Sequence, residues 1–108
     1  MIIEEALLDL GYKVITAIDG EDALNLYEKH KNEVALVILD VVMPKMNGVI
    51  AALRMRQLNN TLPIIFTTGY DMDEALKDHP EIKNSILLSK PFAPEKLDHT
   101  VASILKII

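Results

Sequence analysis

"LVILDVVMPKMNG", residues 36–48, places one acid at the end of an apolar run and follows it with Met43-Pro44 and Asn47-Gly48. Residues 35–39 are continuously apolar, as a strand buried on both faces must be, and such strands belong to parallel sheets covered by helices. The Pro and Asn-Gly signals then turn the chain. An acid in that position, Asp40, has three readings: a structural cap, a metal ligand or a nucleophile.

Outward from this stretch, short apolar runs alternate with longer amphipathic ones. Upstream, residues 2–10 predict a helix stopped by a left-handed Gly11, and residues 13–18, with their β-branched Val14, Ile15 and Thr16, predict a strand. Asp19 offers a side-chain acceptor three residues before Asp22. Ala23, Leu24 and Tyr27 then fall on one face of a helix running to about His30. Downstream, a helix is predicted over 48–58 with Asn59-Asn60 as its stop, and Pro63 introduces a strand at 64–67. Asp71 and Glu74 form a capping-box pattern for a short helix ending before His79-Pro80. Residues 86–89 make the last strand, and Pro94 opens a closing helix with a stripe of Leu97, Val101, Ile104 and Leu105. The predicted order is α-β-α-β-α-β-α-β-α.

Composition narrows the function classes. A chain of 108 residues, half of them apolar, suits one domain spanning 1–108. A net charge of -5 with no basic block argues against nucleic acid as a partner. With no cysteine there is neither a disulfide framework nor a thiolate site, which fits a reducing compartment. The longest apolar run, residues 34–39, is far too short to span a bilayer, and the opening MIIEE lacks the basic flank and core of a signal peptide. The expectation is a cytoplasmic chain with no membrane insertion.

In open α/β sheets, reactive side chains collect just past the carboxyl ends of the strands. Those ends carry Asp40, then Thr67 and Thr68, then Lys90. Singly, each has an ordinary structural role in turns and backbone bonding. Together, an acid, a hydroxyl and an ammonium at one sheet edge suit an anion formed on the acid. A carboxylate can attack a phosphoryl group and carry it as an acyl phosphate, provided that cations and hydrogen-bond donors face the transferring oxygens. His30, His79 and His99 lack metal-site spacing, and Met43 and Met46 read as loop packing. An aspartyl-phosphate hydrolase would need a second acid two residues after the nucleophile, where Val42 stands.

Four segments, LGYKVITAIDGEDAL (10–24), LVILDVVMPKMNG (36–48), LPIIFTTGY (62–70) and LLSKPF (87–92), together resemble the receiver domain of two-component response regulators. The FTTGYD segment is most similar to receivers of hybrid sensory histidine kinases. The resemblance implies a flavodoxin-like, doubly wound parallel sheet with helices on both faces. By position it makes Asp40 the phosphoacceptor, Thr68 the hydroxyl that follows the phosphoryl group and Lys90 the cation that contacts it. It also implies Asp40 and the Val42 backbone carbonyl as Mg²⁺ ligands, Pro44 and Gly48 as shapers of the loop after the acid, and a cis Lys90-Pro91 peptide. The implied partner is a histidine kinase or phosphotransfer domain, and the implied output is a conformational change.

Three departures from that pattern carry expectations. Receivers begin with a strand ending in an acid pair that holds Mg²⁺; here Met1 falls inside the first helix, and Glu4 and Glu5 lie on that helix, outside the pair's positions. The chain therefore reads as an N-terminally truncated receiver with weak or absent Mg²⁺ binding and slow phosphotransfer to Asp40. An interaction-only pseudo-receiver is the alternative. In the strand order 2-1-3-4-5 the missing strand is central, between residues 13–18 and 35–39. The open edges are expected to be covered by direct pairing of those two strands or by a second chain, as in a homodimer. Finally, Leu87 stands where receivers commonly carry an aromatic switch residue, and Val42 and Tyr70 occupy positions that influence acyl-phosphate lifetime, for which slow hydrolysis is expected.

Overall fold

The computed structural model describes residues 3–41, 46–69 and 86–105. Val42, Pro44, Tyr70 and the helix expected around Asp71 and Glu74 lie outside the described residues. The described elements are α1 (Ile3–Asp9), α2 (Gly20–His30), β1 (Val37–Asp40), α3 (Gly48–Leu58), β2 (Ile64–Thr68), β3 (Ile86–Ser89) and α4 (Pro94–Leu105). They fall into two compact units, one of residues 1–16 with 91–108 and the other of residues 17–90. No described helix is long and apolar enough to cross a membrane.

In the first unit, α1 stops where Gly11 takes a φ of 92°. The Gly11 N–H bonds the Leu8 carbonyl at 3.0 Å, and the Tyr12 N–H bonds the Leu7 carbonyl at 3.1 Å. This is a Schellman ending, which uses a left-handed glycine to satisfy the helix's last carbonyls. α4 begins at Pro94, whose missing N–H costs nothing at a first helical position, and buries Leu97 and Val101. Ile104 and Leu105, the rest of the expected stripe, are half-buried.

The second unit contains the sheet, three parallel strands in the order β1-β2-β3. β2 is central, and all five of its residues are buried, which explains its apolar run. The register pairs Leu39 with Phe66 and Asp40 with Thr67 across β1 and β2, and Thr67 with Leu88 across β2 and β3. Leu39, Ile64 and Phe66 join Tyr27 of α2 and Val49, Ala51, Ala52 and Met55 of α3 in one buried cluster. Burial of each large member stabilises the fold by about 1.5–3 kcal/mol.

Both helices over this cluster start on an Asx-Gly pair. The Asp19 side chain accepts from the Asp22 N–H at 2.8 Å, while the Asp22 side chain accepts from the Ile18 N–H at 3.0 Å. Asn47 caps α3 in the same way, taking the Ile50 N–H at 2.9 Å. The glycines that follow permit close approach. A Cβ on Gly20 would overlap the Met46 carbonyl, and one on Gly48 would overlap the Asp40 carbonyl.

One expected element is corrected. Residues 13–18 form no strand: residues 12–17 carry no regular structure, and Ile15 and Ile18 are 49% and 85% exposed. A strand is defined by its ladder, and β-branched composition cannot replace a partner for the backbone N–H and C=O groups. Direct pairing of this segment with β1, one of the expected repairs, is therefore absent among the described residues. The outer edge of β1 carries no strand there. Val37 and Val41 donate to Pro63 and Thr67 at 3.1 and 2.9 Å, so the intervening backbone groups of Ile38 and Asp40 point to that outer edge.

Candidate functional site

Asp40 is the last residue of β1 and lies inside the ladder, one residue beyond the expected end of the strand. The Val41 N–H bond to the Thr67 carbonyl continues the pairing past it. On the other side of β2, the Lys90 N–H bonds the Thr68 carbonyl at 2.7 Å, which extends β3 in the same direction. Two backbone bonds thus hold Asp40 and Lys90 on either side of the end of β2. Behind Asp40, the Gly48 N–H reaches the Val41 carbonyl at 3.1 Å, so the start of α3 closes the turn.

The side chains meet across that frame. Lys90 Nζ lies 2.7 Å from Asp40 Oδ2, and Thr67 Oγ1 donates to Asp40 Oδ1 at 3.1 Å. The Asp40 and Lys90 side chains are 36% and 42% exposed, so the carboxylate is reachable from solvent while its cation is in contact. Thr67 is only 2% exposed, as is Thr68. The arrangement presents a fixed, ion-paired carboxylate at an open sheet end, which can act as a nucleophile toward an electrophilic anion whose charge the ammonium offsets.

Asp40, Thr67, Thr68 and Lys90 are therefore all at the strand ends named from the sequence. The direct hydroxyl contact to Asp40 comes from Thr67, which the sequence places at the edge without a role. Its signal was the pairing register, which sets Thr67 opposite Asp40 and which local composition does not encode. Glu4 and Glu5 are exposed on α1.

A divalent cation can be tested against this donor set. Mg²⁺ prefers octahedral oxygen coordination, commonly with one or two carboxylates and several waters. Among the described residues no three His, Cys, Asp or Glu side chains gather to hold a metal ion. Asp40 brings one carboxylate, and its two oxygens already face an ammonium and a hydroxyl. These described groups do not by themselves make a magnesium site.

Residues 1–102 match the model of the response regulator receiver domain. The sensor histidine kinase RcsC of Salmonella typhi is 38% identical over 101 residues, 94% of this chain and 10% of that protein. PhoP of Bacillus subtilis, an alkaline phosphatase synthesis transcriptional regulatory protein, is 35% identical over 96 residues, 89% of this chain and 39% of that protein. The chain thus spans less than half the length of these curated relatives. Among solved structures, CheY in the CheX-CheY-BeF3-Mg complex of Borrelia burgdorferi superposes with a TM-score of 0.83 at 27% identity, covering 95% of this chain and 78% of that one. Vibrio cholerae chemotaxis protein CheY4 gives 0.82 at 31% identity, covering 94% and 85%.

Proposed function

The chain belongs to the response regulator receiver domain family of two-component systems, and from that premise we propose that Asp40 is its phosphoacceptor. Receiver domains are signalling domains and not conventional enzymes, and the family works with Mg²⁺. The donor is then a phosphohistidine on a histidine kinase or phosphotransfer domain. An Asp40 carboxylate oxygen forms the new bond to phosphorus while the P–N bond breaks, its electron pair returning to the imidazole, which takes a proton from solvent. Lys90 offsets charge on the phosphoryl oxygens, Thr68 is the hydroxyl that follows them, and the whole of 1–108 acts as one receiver domain in the cytoplasm.

The observation that carries this reading is the 2.7 Å contact of Lys90 Nζ with Asp40 Oδ2 at the carboxyl end of parallel strands. The single carboxylate among the described donors supports weak Mg²⁺ binding, with the Val42 carbonyl as a further ligand, and slow uptake. The same observation favours a second reading, a pseudo-receiver that binds partners without using Asp40. Incubation with acetyl phosphate and Mg²⁺ separates the two by intact mass. The phosphoacceptor reading expects one added phosphoryl group on the wild type and none on Asp40→Asn; no addition to either, with no spectral response to beryllofluoride, supports the pseudo-receiver.

The outer edge of β1, which pairs with no described strand, supports a homodimer in which a second copy covers it. Sedimentation at low concentration tests this, and a monomer that unfolds cooperatively sinks it.

A further inference from the structure

We infer that Thr67 is a positioning residue for phosphoryl uptake: its hydroxyl and the Lys90 ammonium grip the two oxygens of Asp40 and fix the plane of the carboxylate. This rests on the reading of Asp40 as phosphoacceptor. The terminal torsion of an aspartate is broad, so an ungripped carboxylate sweeps its attacking lone pairs over a wide arc. Here the arc is closed from two sides. Thr67 Oγ1 holds Oδ1 at 3.1 Å from β2, and Lys90 Nζ holds Oδ2 at 2.7 Å from beyond β3.

The grip follows from backbone structure more than from side-chain chance. Thr67 is the register partner of Asp40, its backbone carbonyl accepts the N–H of Val41, and its side chain is buried, so the hydroxyl has little freedom to leave. The Lys90 backbone is tied to Thr68, the next residue along. One strand end therefore supplies both the direct donor and the anchor of the second donor.

In the acetyl phosphate assay, an Asp40 oxygen bonds to phosphorus while the bond between phosphorus and the bridging oxygen breaks, in place of the P–N bond of a phosphohistidine. With acetyl phosphate the leaving group is acetate, which departs with the electron pair and needs no proton. A carboxylate held in the attacking orientation loses less freedom at this step, which is how positioning accelerates a reaction. The hydroxyl can stay on the remaining oxygen, now the carbonyl of the acyl phosphate, because it is a donor to both forms.

The test compares Thr67→Val with Thr67→Ser in the full chain. Valine keeps the shape of threonine and removes only the donor, and the partly exposed Asp40 can take a water in its place. Uptake from acetyl phosphate is followed by mass at several concentrations, and the carboxylate stretch of ¹³C-labelled Asp40 is followed by difference infrared spectroscopy against Asp40→Asn. Thr67→Val should shift the stretch and lower the saturating rate by about tenfold, the loss expected for one hydrogen bond to a charged group. The half-saturating concentration should not move, and Thr67→Ser should keep rate and stretch within about twofold and near wild type. An unshifted stretch in Thr67→Val, or a serine variant as impaired as the valine one, overturns the inference. If the wild type takes up no phosphoryl group, the phosphoacceptor reading fails alone, and the infrared comparison still decides whether Thr67 grips Asp40.

Discussion

Replacing Gly48 by alanine adds a single methyl group at the point where α3 begins against β1. That methyl would overlap the backbone carbonyl oxygen of Asp40 and crowd the Leu39 side chain, neither of which can swing aside as a flexible side-chain end could. Overpacking a close-packed site costs about 1–3 kcal/mol. Pushing α3 outward also strains the Gly48 N–H bond to the Val41 carbonyl, worth about 1 kcal/mol. The opposing gain from alanine's better helix propensity is at most about 1 kcal/mol. The net loss is about 1–3 kcal/mol, which lowers the melting temperature of a domain this size by roughly 4–12 °C. Gly69→Ala is the internal control, because a Cβ there meets no atom of the described residues within 4 Å; it should change stability by about 0.5 kcal/mol or less. Thermal unfolding followed by circular dichroism makes the comparison. A Gly48→Ala chain that melts with the wild type, or no lower than Gly69→Ala, refutes the close approach of α3 to Asp40.

Lys90→Met should leave stability within about 1 kcal/mol, since its ion pair is two-fifths exposed, yet slow phosphoryl uptake by about a hundredfold or more; equal uptake in an acetyl phosphate assay would exclude Lys90 from the site. Asp19→Ala should cost at least about 1 kcal/mol in urea unfolding through loss of the α2 cap, and an unchanged midpoint would exclude that cap. The outward-facing Ile38 amide should exchange with deuterium much faster than the Val41 amide bonded to Thr67. Equal protection at low protein concentration would mean that the β1 edge is covered.

What could be read in advance was local. Gly11 as a left-handed stop, Asp19 as a cap and Pro94 as a first helical residue depend on a few neighbours, and each stands as expected. The apolar run before Asp40 is legible for the same reason: burial on both faces leaves little else it can be. The failures are non-local. Residues 13–18 have strand composition, but a strand needs a ladder, and whether a partner lies alongside is not written in those residues. The hydroxyl contact of Thr67 was missed for the same reason: only the register of β1 against β2 sets that residue opposite Asp40.

The contact of Asp40 with Lys90 joins residues fifty positions apart, with β2 between them in both sequence and space. A chain emerging from the ribosome therefore carries its acid long before its ammonium, and a chain cut anywhere between the two never acquires the pair. The counter-charge arrives only once the third strand has docked. The paired carboxylate is then a late feature of this sheet during synthesis, and an unfinished or half-folded copy carries the acid without its counter-charge.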